Sequence, residues 1–357
     1  MQAMKSFYPI AVVGMWCLIV AGTGPGCSRS QGAFERREPP IEGRSSDPAV
    51  ELKLAWRDGH TYLFSMESTT DTLWQGTGRR RPGDQETVLG MDYKLTPTNR
   101  LSNGRLWLDF ELAALWVDLY MGNQNYLSFD SESNVVGLNN NPAVGLLYKL
   151  IGGHLGLELG PDQRLMRVVG LNELFARLGN DPAARRAGWG VRRGLSYGLL
   201  RRLVEMHPLP DHPVRIGDEW KARRAYPGRA GGTYVAELTY KFRGWQRHAN
   251  RRCARLDFDA TFRQQPPRST DSPSKRPPRR PRPGPTFQLQ KGQAQGRVWF
   301  DPELGMVAGV ELEQHLVLRG TVRRSRDPKA PAREVENRID EEFNMDLVGV
   351  QATQKAP

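Results

Sequence analysis

The chain has 357 residues, with 51 Lys and Arg against 39 Asp and Glu, a formal net charge of +12, 38% hydrophobic residues and 3 Cys. These figures exclude an integral multi-span membrane protein, a disulfide scaffold and a chain disordered throughout. At roughly 150 residues per domain, the length fits about two domains or one large β-rich one, enough to bury a sizeable core.

At the start, Lys5 precedes an apolar run from Phe7 to Ala21 whose 15 residues fall short of the ~20 that a membrane-spanning helix needs. This is the layout of a secretory signal peptide over residues 1–26. Small residues then lead through Gly24, Pro25 and Gly26 to Cys27 and Ser28. The arrangement resembles the lipobox of bacterial lipoproteins. Gly26 and Cys27 match that pattern, whereas Gly24 stands where an aliphatic residue is usual and Pro25 where Ser or Ala is usual.

The resemblance implies that Cys27 becomes the first mature residue and carries lipid. Acyl chains contribute about 0.8 kcal/mol per buried CH₂, so several of them hold a soluble domain stably on a membrane. Ser28 fits sorting to the outer membrane, so the expected location is the cell envelope, with the protein anchored there and facing the periplasm. Ordinary cleavage near Ala21 to Thr23, which would give a secreted or periplasmic protein, and an uncleaved weak anchor are the alternatives. With Cys17 in the signal core and Cys27 acylated, Cys253 is left alone and no disulfide can form. Cys253 reads as a small buried residue. Residues 27–49 are polar; from Ser28 on they hold three Pro and balance four Arg against four acids, which predicts a flexible tether.

From Val50 onward the pattern is alternation with period 2, the mark of strands with one buried and one wet face. Tyr62, Phe64 and Met66 show it, then Met91, Tyr93 and Leu95, then Leu106, Leu108, Phe110 and Leu112, with Asn103-Gly104 as a hairpin turn before the last set. Tyr240 and Phe242 repeat the habit, as do Leu256, Phe258 and Ala260, and then Val310, Leu312, Leu316 and Leu318. Three short helices are predicted: from Asn141-Pro142 to Ile151, through Leu171, Leu174, Phe175 and Leu178, and from Arg193 to Met206. The expected fold is mainly β, with antiparallel sheets in a sandwich or an incomplete barrel and the helices against one open face. Two β-rich halves, 50–206 and 207–357, echo each other: residues 91–115 and 236–262 both read as a strand, a polar turn and a strand containing Leu-Asp-Phe. Amphipathic hairpins also resemble one another by pattern alone.

Four segments taken in order carry a family resemblance: Gly59-His-Thr-Tyr62, Gly160 to Gly170 (GPDQRLMRVVG), Leu209 to Trp220 (LPDHPVRIGDEW) and Phe300-Asp-Pro-Glu-Leu-Gly305. Together they resemble an uncharacterised family of bacterial exported proteins and lipoproteins, a domain of unknown function. The resemblance spans most of residues 50–345. It implies a β-rich envelope protein with no assigned activity, and no catalytic residues carry over from it.

Chemical motifs are sparse. Gly194-Leu-Ser196-Tyr-Gly198 matches G-x-S-x-G, with Asp211 and His212 following in hydrolase order. A nucleophile elbow needs a buried strand directly before it, and here Arg-rich sequence precedes. His207 and His212 are close in sequence, but prolines hold that segment extended, and no metal motif is present. Asp257 with Asp259 and Glu311 with Glu313 fall on polar strand faces. Residues 264–285 hold eight Pro, six Lys and Arg and one acid. That composition predicts a solvated, disordered connection between strands, because it cannot join a ladder.

These observations favour a non-enzymatic binding or scaffolding protein of the envelope. Its concave sheet would take an apolar, lipid-like ligand, resembling in outline the carriers that hold acyl chains. The first alternative is a protein that grips an anionic envelope component through Lys275, Arg276, Arg279, Arg280 and Arg282. The least favoured is a serine hydrolase using Ser196. No cofactor or metal is implied, nucleic acid is not expected as a partner, and the sequence specifies no oligomeric state.

Overall fold

The computed structural model describes residues 39–76, 84–133, 142–179, 197–205, 207–227, 233–265, 286–323 and 332–353. Its strands are β1 (His60–Gln75), β2 (Asp84–Arg100), β3 (Leu106–Met121), β4 (Gln124–Asp130), β5 (Gly153–Leu159), β6 (Leu165–Val169), β7 (Glu219–Pro227), β8 (Thr233–His248), β9 (Arg251–Gln265), β10 (Thr286–Asp301), β11 (Met306–Arg323) and β12 (Ala332–Ala352). Three short helices accompany them: α1 (Pro142–Tyr148), α2 (Leu171–Ala176) and α3 (Tyr197–Val204).

All twelve strands belong to one antiparallel sheet in the order β6-β5-β3-β2-β1-β12-β11-β10-β9-β8-β7, with β4 paired to β3 off this path. The sheet is open, and β6 and β7 are its edges. The mainly-β, antiparallel expectation with few helices holds. A single curled sheet, rather than two stacked ones, encloses the core.

The join between the two chain halves is the pairing of the first strand with the last. Tyr62 lies opposite Val350, Met66 opposite Met345 and Trp74 opposite Asn337. One hydrophobic core draws on both flanks, from Leu52, Phe64 and Phe110 to Tyr240, Phe258 and Leu347. The alternating pattern produces this directly, because residues i, i+2 and i+4 of a strand share a face. Register shifts between Leu63 and Phe64, Asp92 and Tyr93, and Phe242 and Gly244 interrupt the long strands. Such bulges bend a strand and increase its twist, which lets strands of this length curl around a core.

The two ends of the sheet are finished differently. At one end the strands are joined by short turns, including Asn103-Gly104, where Gly104 has φ +80° and the Asn103 side chain accepts the Arg105 N–H at 3.1 Å. A strap, residues 39–57, runs along this rim. Glu42 exchanges backbone bonds with Trp245 (2.7 and 2.9 Å), Val50 does so with Val214 (2.9 Å each), and the Ala55 N–H donates to Gly305 O (2.7 Å). At Gly244 (φ +138°) a Cβ would stand 2.7 Å from Glu42 O, so glycine is required where the strap crosses β8. Trp56 ends the strap edge-on to Tyr62 and donates to Gln163 Oε1 at 3.1 Å. Residues 39–49, read from sequence as part of the tether, are therefore bonded to the sheet at Glu42, although their side chains are mostly exposed.

Candidate functional site

The concave face of the sheet carries the buried apolar core, which is aromatic on both flanks. Tyr93 stacks between Phe64 (5.3 Å) and Phe110 (5.4 Å) on one side. On the other, Tyr240 stacks on Trp220 at 5.4 Å and meets Phe258 at 5.5 Å. Helix α3 lies across the middle with Leu200, Leu203 and Val204 turned into the core, each no more than 1% exposed. Leu200, Leu203 and Val204, at i, i+3 and i+4, share one face, which is why this short helix can enter an apolar bowl.

Polar groups hold α3 in place. Tyr197 donates its hydroxyl to Leu165 O on edge strand β6. Arg201 donates to Ala225 O on the opposite edge strand β7 at 2.9 Å, and Arg224 of β7 donates to Glu205 O at 3.1 Å. Glu205, just past the helix, is almost fully buried; its carboxylate accepts the Leu165 N–H at 2.9 Å and two bonds from Arg201 at 2.8 Å. The two edges of the open sheet are thus stitched together through α3 rather than through each other. Farther in, Arg202 forms a two-pronged ion pair with Glu341 of β12 and lies 4.8 Å over the Phe343 ring. Ser68 (2.9 Å) and Gln314 (3.3 Å) also donate to Glu341. Charged bonds of this kind are about twice as strong as neutral ones.

His207 follows α3 and completes this layer. Its Nδ1 accepts from the Tyr240 hydroxyl at 2.8 Å. Burial, together with the positive charges of Arg224 and Arg202, pushes its pKa down to about 3, so the ring is neutral. Burial also raises the Tyr93 and Tyr240 hydroxyls, which remain protonated donors. Tyr93 donates to Leu203 O (3.3 Å) and to Met345 Sδ (3.1 Å).

The end of the concave face away from the strap has a separate apolar cluster of Tyr234, Phe287, Leu318, Val335 and Ile339. Trp74, Tyr226, Leu289 and Leu316 pack against it and remain partly exposed. Among these side chains stands Asn337 of β12, between Trp74 and Leu318 in the register. Asn337 is 0% exposed, and neither its Oδ1 nor its Nδ2 has a hydrogen-bond partner.

The convex face is wet and charged. Asp257 is paired with Arg255 (2.9 Å) and Arg243 (3.3 Å), Glu311 with Arg297 (3.5 Å), and Glu313 accepts from Gln295 at 2.8 Å. A cleft of about 560 Å³ on this side is walled by Asp71, Asp259, Glu313, Asp340 and Glu342, with His315 paired to Asp340. The Asp71 carboxyl is pushed up by burial and by the negative charges of Asp340 and Asp84. Among the described residues no three His, Cys, Asp or Glu gather so as to hold a metal ion. No helix among them is long and apolar enough to cross a membrane.

Several residues singled out in the sequence lie outside the described residues: Cys27, Ser196, and Lys275, Arg276, Arg279, Arg280 and Arg282. Asp211 and His212 pair with each other at 2.8 Å on an exposed loop, whereas His207 is half-buried against Tyr240, so the two histidines are not one site. Cys253 is fully buried with Trp299 and Ala308, and burial, then the nearby Asp301, pushes its thiol up to about 12. Arg202, Glu205, Asn337 and Glu341 went unnoticed in the sequence. A signal was present: Asn337 and Glu341 occupy positions where the alternation Val335, Ile339, Phe343 calls for apolar residues.

No family model and no curated protein sequence matches the chain. Among solved structures, the chain is similar to one described as lipid-protein interactions in lipovitellin, with 10% identity, 85% of this chain and 26% of that chain covered, and a TM-score of 0.44. The chain thus spans about a quarter of that protein. It is also similar to an exported protein with a YmcC-like fold from Bacteroides fragilis (8% identity, 85% and 100% covered, TM-score 0.23). A third is OpdQ of Pseudomonas aeruginosa (8% identity, 82% and 98% covered, TM-score 0.13).

Proposed function

We propose that this chain is an exported lipoprotein of the bacterial envelope, acylated at Cys27 and held at the outer membrane. It would act as a non-enzymatic binding protein whose concave face receives an apolar, lipid-like ligand. The observation that carries the reading is the way α3 covers that face. Three apolar side chains point into the bowl, while ion pairs and hydrogen bonds at its flanks fasten it to β6, β7 and β12. An apolar wall covered by one short helix, rather than by a continuous packed layer, is the kind that a local opening exposes. Titrating the purified full chain with a neutral fluorescent acyl ester tests this. Saturable binding, competed by an unlabelled monoacylglycerol, is expected, and a flat titration overturns the reading.

A second reading, the grip on an anionic envelope component, is favoured by topology. The connections β1 to β2, β7 to β8, β9 to β10 and β11 to β12 all leave the same end of the sheet, opposite the strap. Their segments 77–83, 228–232, 266–285 and 324–331 hold thirteen Lys and Arg and two Asp. Basic charge concentrated in this way attracts polyanions with a strong dependence on salt. Deleting residues 266–284 should weaken retention on an anionic matrix and flatten its salt dependence. Retention unchanged from that of the intact chain removes this reading.

A further inference from the structure

Among the described residues, Asn337 buries both the donor and the acceptor of its amide, and neither has a hydrogen-bond partner. A primary amide offers two N–H donors and a carbonyl acceptor, and a fold that buries it unsatisfied gives up stability unless something else supplies the bonds. Its surroundings say what that partner is. Val335 and Ile339 flank it along β12, Leu318 and Trp74 face it from the neighbouring strands, and Phe287 meets Trp74 edge-on at 5.8 Å. None of these carries charge, and Glu341, further along the same face, is already engaged by Arg202, Ser68 and Gln314. Among the described residues the amide has no counter-charge beside it, so an ionised group seated against Asn337 itself would be buried unpaired, which is strongly unfavourable. A neutral carbonyl joined to a hydrocarbon chain fits both the wall and the amide.

We infer that Asn337 is the polar contact of a binding site at the distal end of the concave face, where its Nδ2 donates to the ester or amide carbonyl of a neutral acyl compound. The chain of that compound lies against Leu318, Val335 and Ile339. The inference rests on the reading that the concave face takes an apolar ligand, and it adds which end of the face holds the head and which chemical class is selected. Entry is past Trp74 and Tyr226, which remain partly exposed over the cluster.

Two probes of equal chain length separate the claims. 1-Monomyristoylglycerol has the ester carbonyl; 1-O-tetradecylglycerol keeps the glycerol and the chain but has an ether in its place. Each is used to displace a neutral probe, a fluorescent fatty-acid methyl ester, from the full chain. The ester is expected to bind roughly tenfold more tightly than the ether, the worth of one hydrogen bond. In Asn337→Leu that preference should vanish while the ether binds as before. Equal binding of ester and ether by the unaltered protein overturns the role of Asn337 and leaves the apolar reading standing. Displacement by neither overturns both. Because the ester-to-ether ratio is read on the unaltered chain, the test decides even if the variant does not fold.

Discussion

The middle and the distal end of the concave face are lined from the same strands and by the same alternation, yet they are completed in opposite ways. In the middle, the named polar groups that enter the bowl find partners: Arg202 with Glu341, Glu205 with Arg201 and Leu165, His207 with Tyr240. At the distal end, an amide is buried and left unpaired. A fold that can satisfy a buried ion pair a few residues along β12 is not short of means to satisfy an asparagine. The middle is arranged for stability, and the distal end gives some of it up, the pattern expected of a surface kept for a ligand.

That contrast can be broken by mutation, and the largest effect belongs to the middle. Glu341→Leu strands the Arg202 guanidinium between Phe343 and the core, and a loss of about 3–5 kcal/mol is expected in urea unfolding. A loss under ~1 kcal/mol would mean that α3 is held by its leucines alone. Asn337→Leu should act with the opposite sign, raising stability by about 1–3 kcal/mol, since an orphaned amide is replaced by a side chain of similar volume that suits its neighbours. Destabilisation by that substitution would erase the difference between the two regions. The smallest effect concerns pH. His207 titrates near 6.5 when unfolded and about 3 when folded, so between those values the unfolded chain binds a proton that the folded chain refuses. Its contribution is intact above pH 6.5 and is lost as pH falls toward 3. At pH 5.5 this amounts to about 1 kcal/mol, visible as a steeper acid decline of the urea midpoint in the unaltered protein than in His207→Phe.

Much of the fold was legible because it is local. Tyr62, Phe64 and Met66 announce β1 by spacing alone, Asn103-Gly104 announces its turn, and the helix expected from Arg193 to Met206 contains α3. The pairing of β1 with β12 was not legible, since no local rule relates Tyr62 to Val350 across the length of the chain. The longest strand, β12, was passed over in the sequence for a physical reason. Asn337 and Glu341 interrupt its apolar face, and those interruptions are the residues that do something other than fill space. Arg202 was hidden in a similar way, as one more cation in a basic stretch, until β12 supplied its carboxylate. The candidate site was thus written in the exceptions to the alternation, which gain meaning only when a second strand stands opposite.

The strap gives the sheet two unlike ends. Chain before Pro39 emerges beside Trp245 and Gln246, at the rim that the strap hems, while the basic connections leave the far end of strands such as the 16-residue β8. At about 3.3 Å per residue the two ends stand roughly 50 Å apart. The strap therefore closes one end of the sheet, while the strand ends that lead into the basic segments lie at the other.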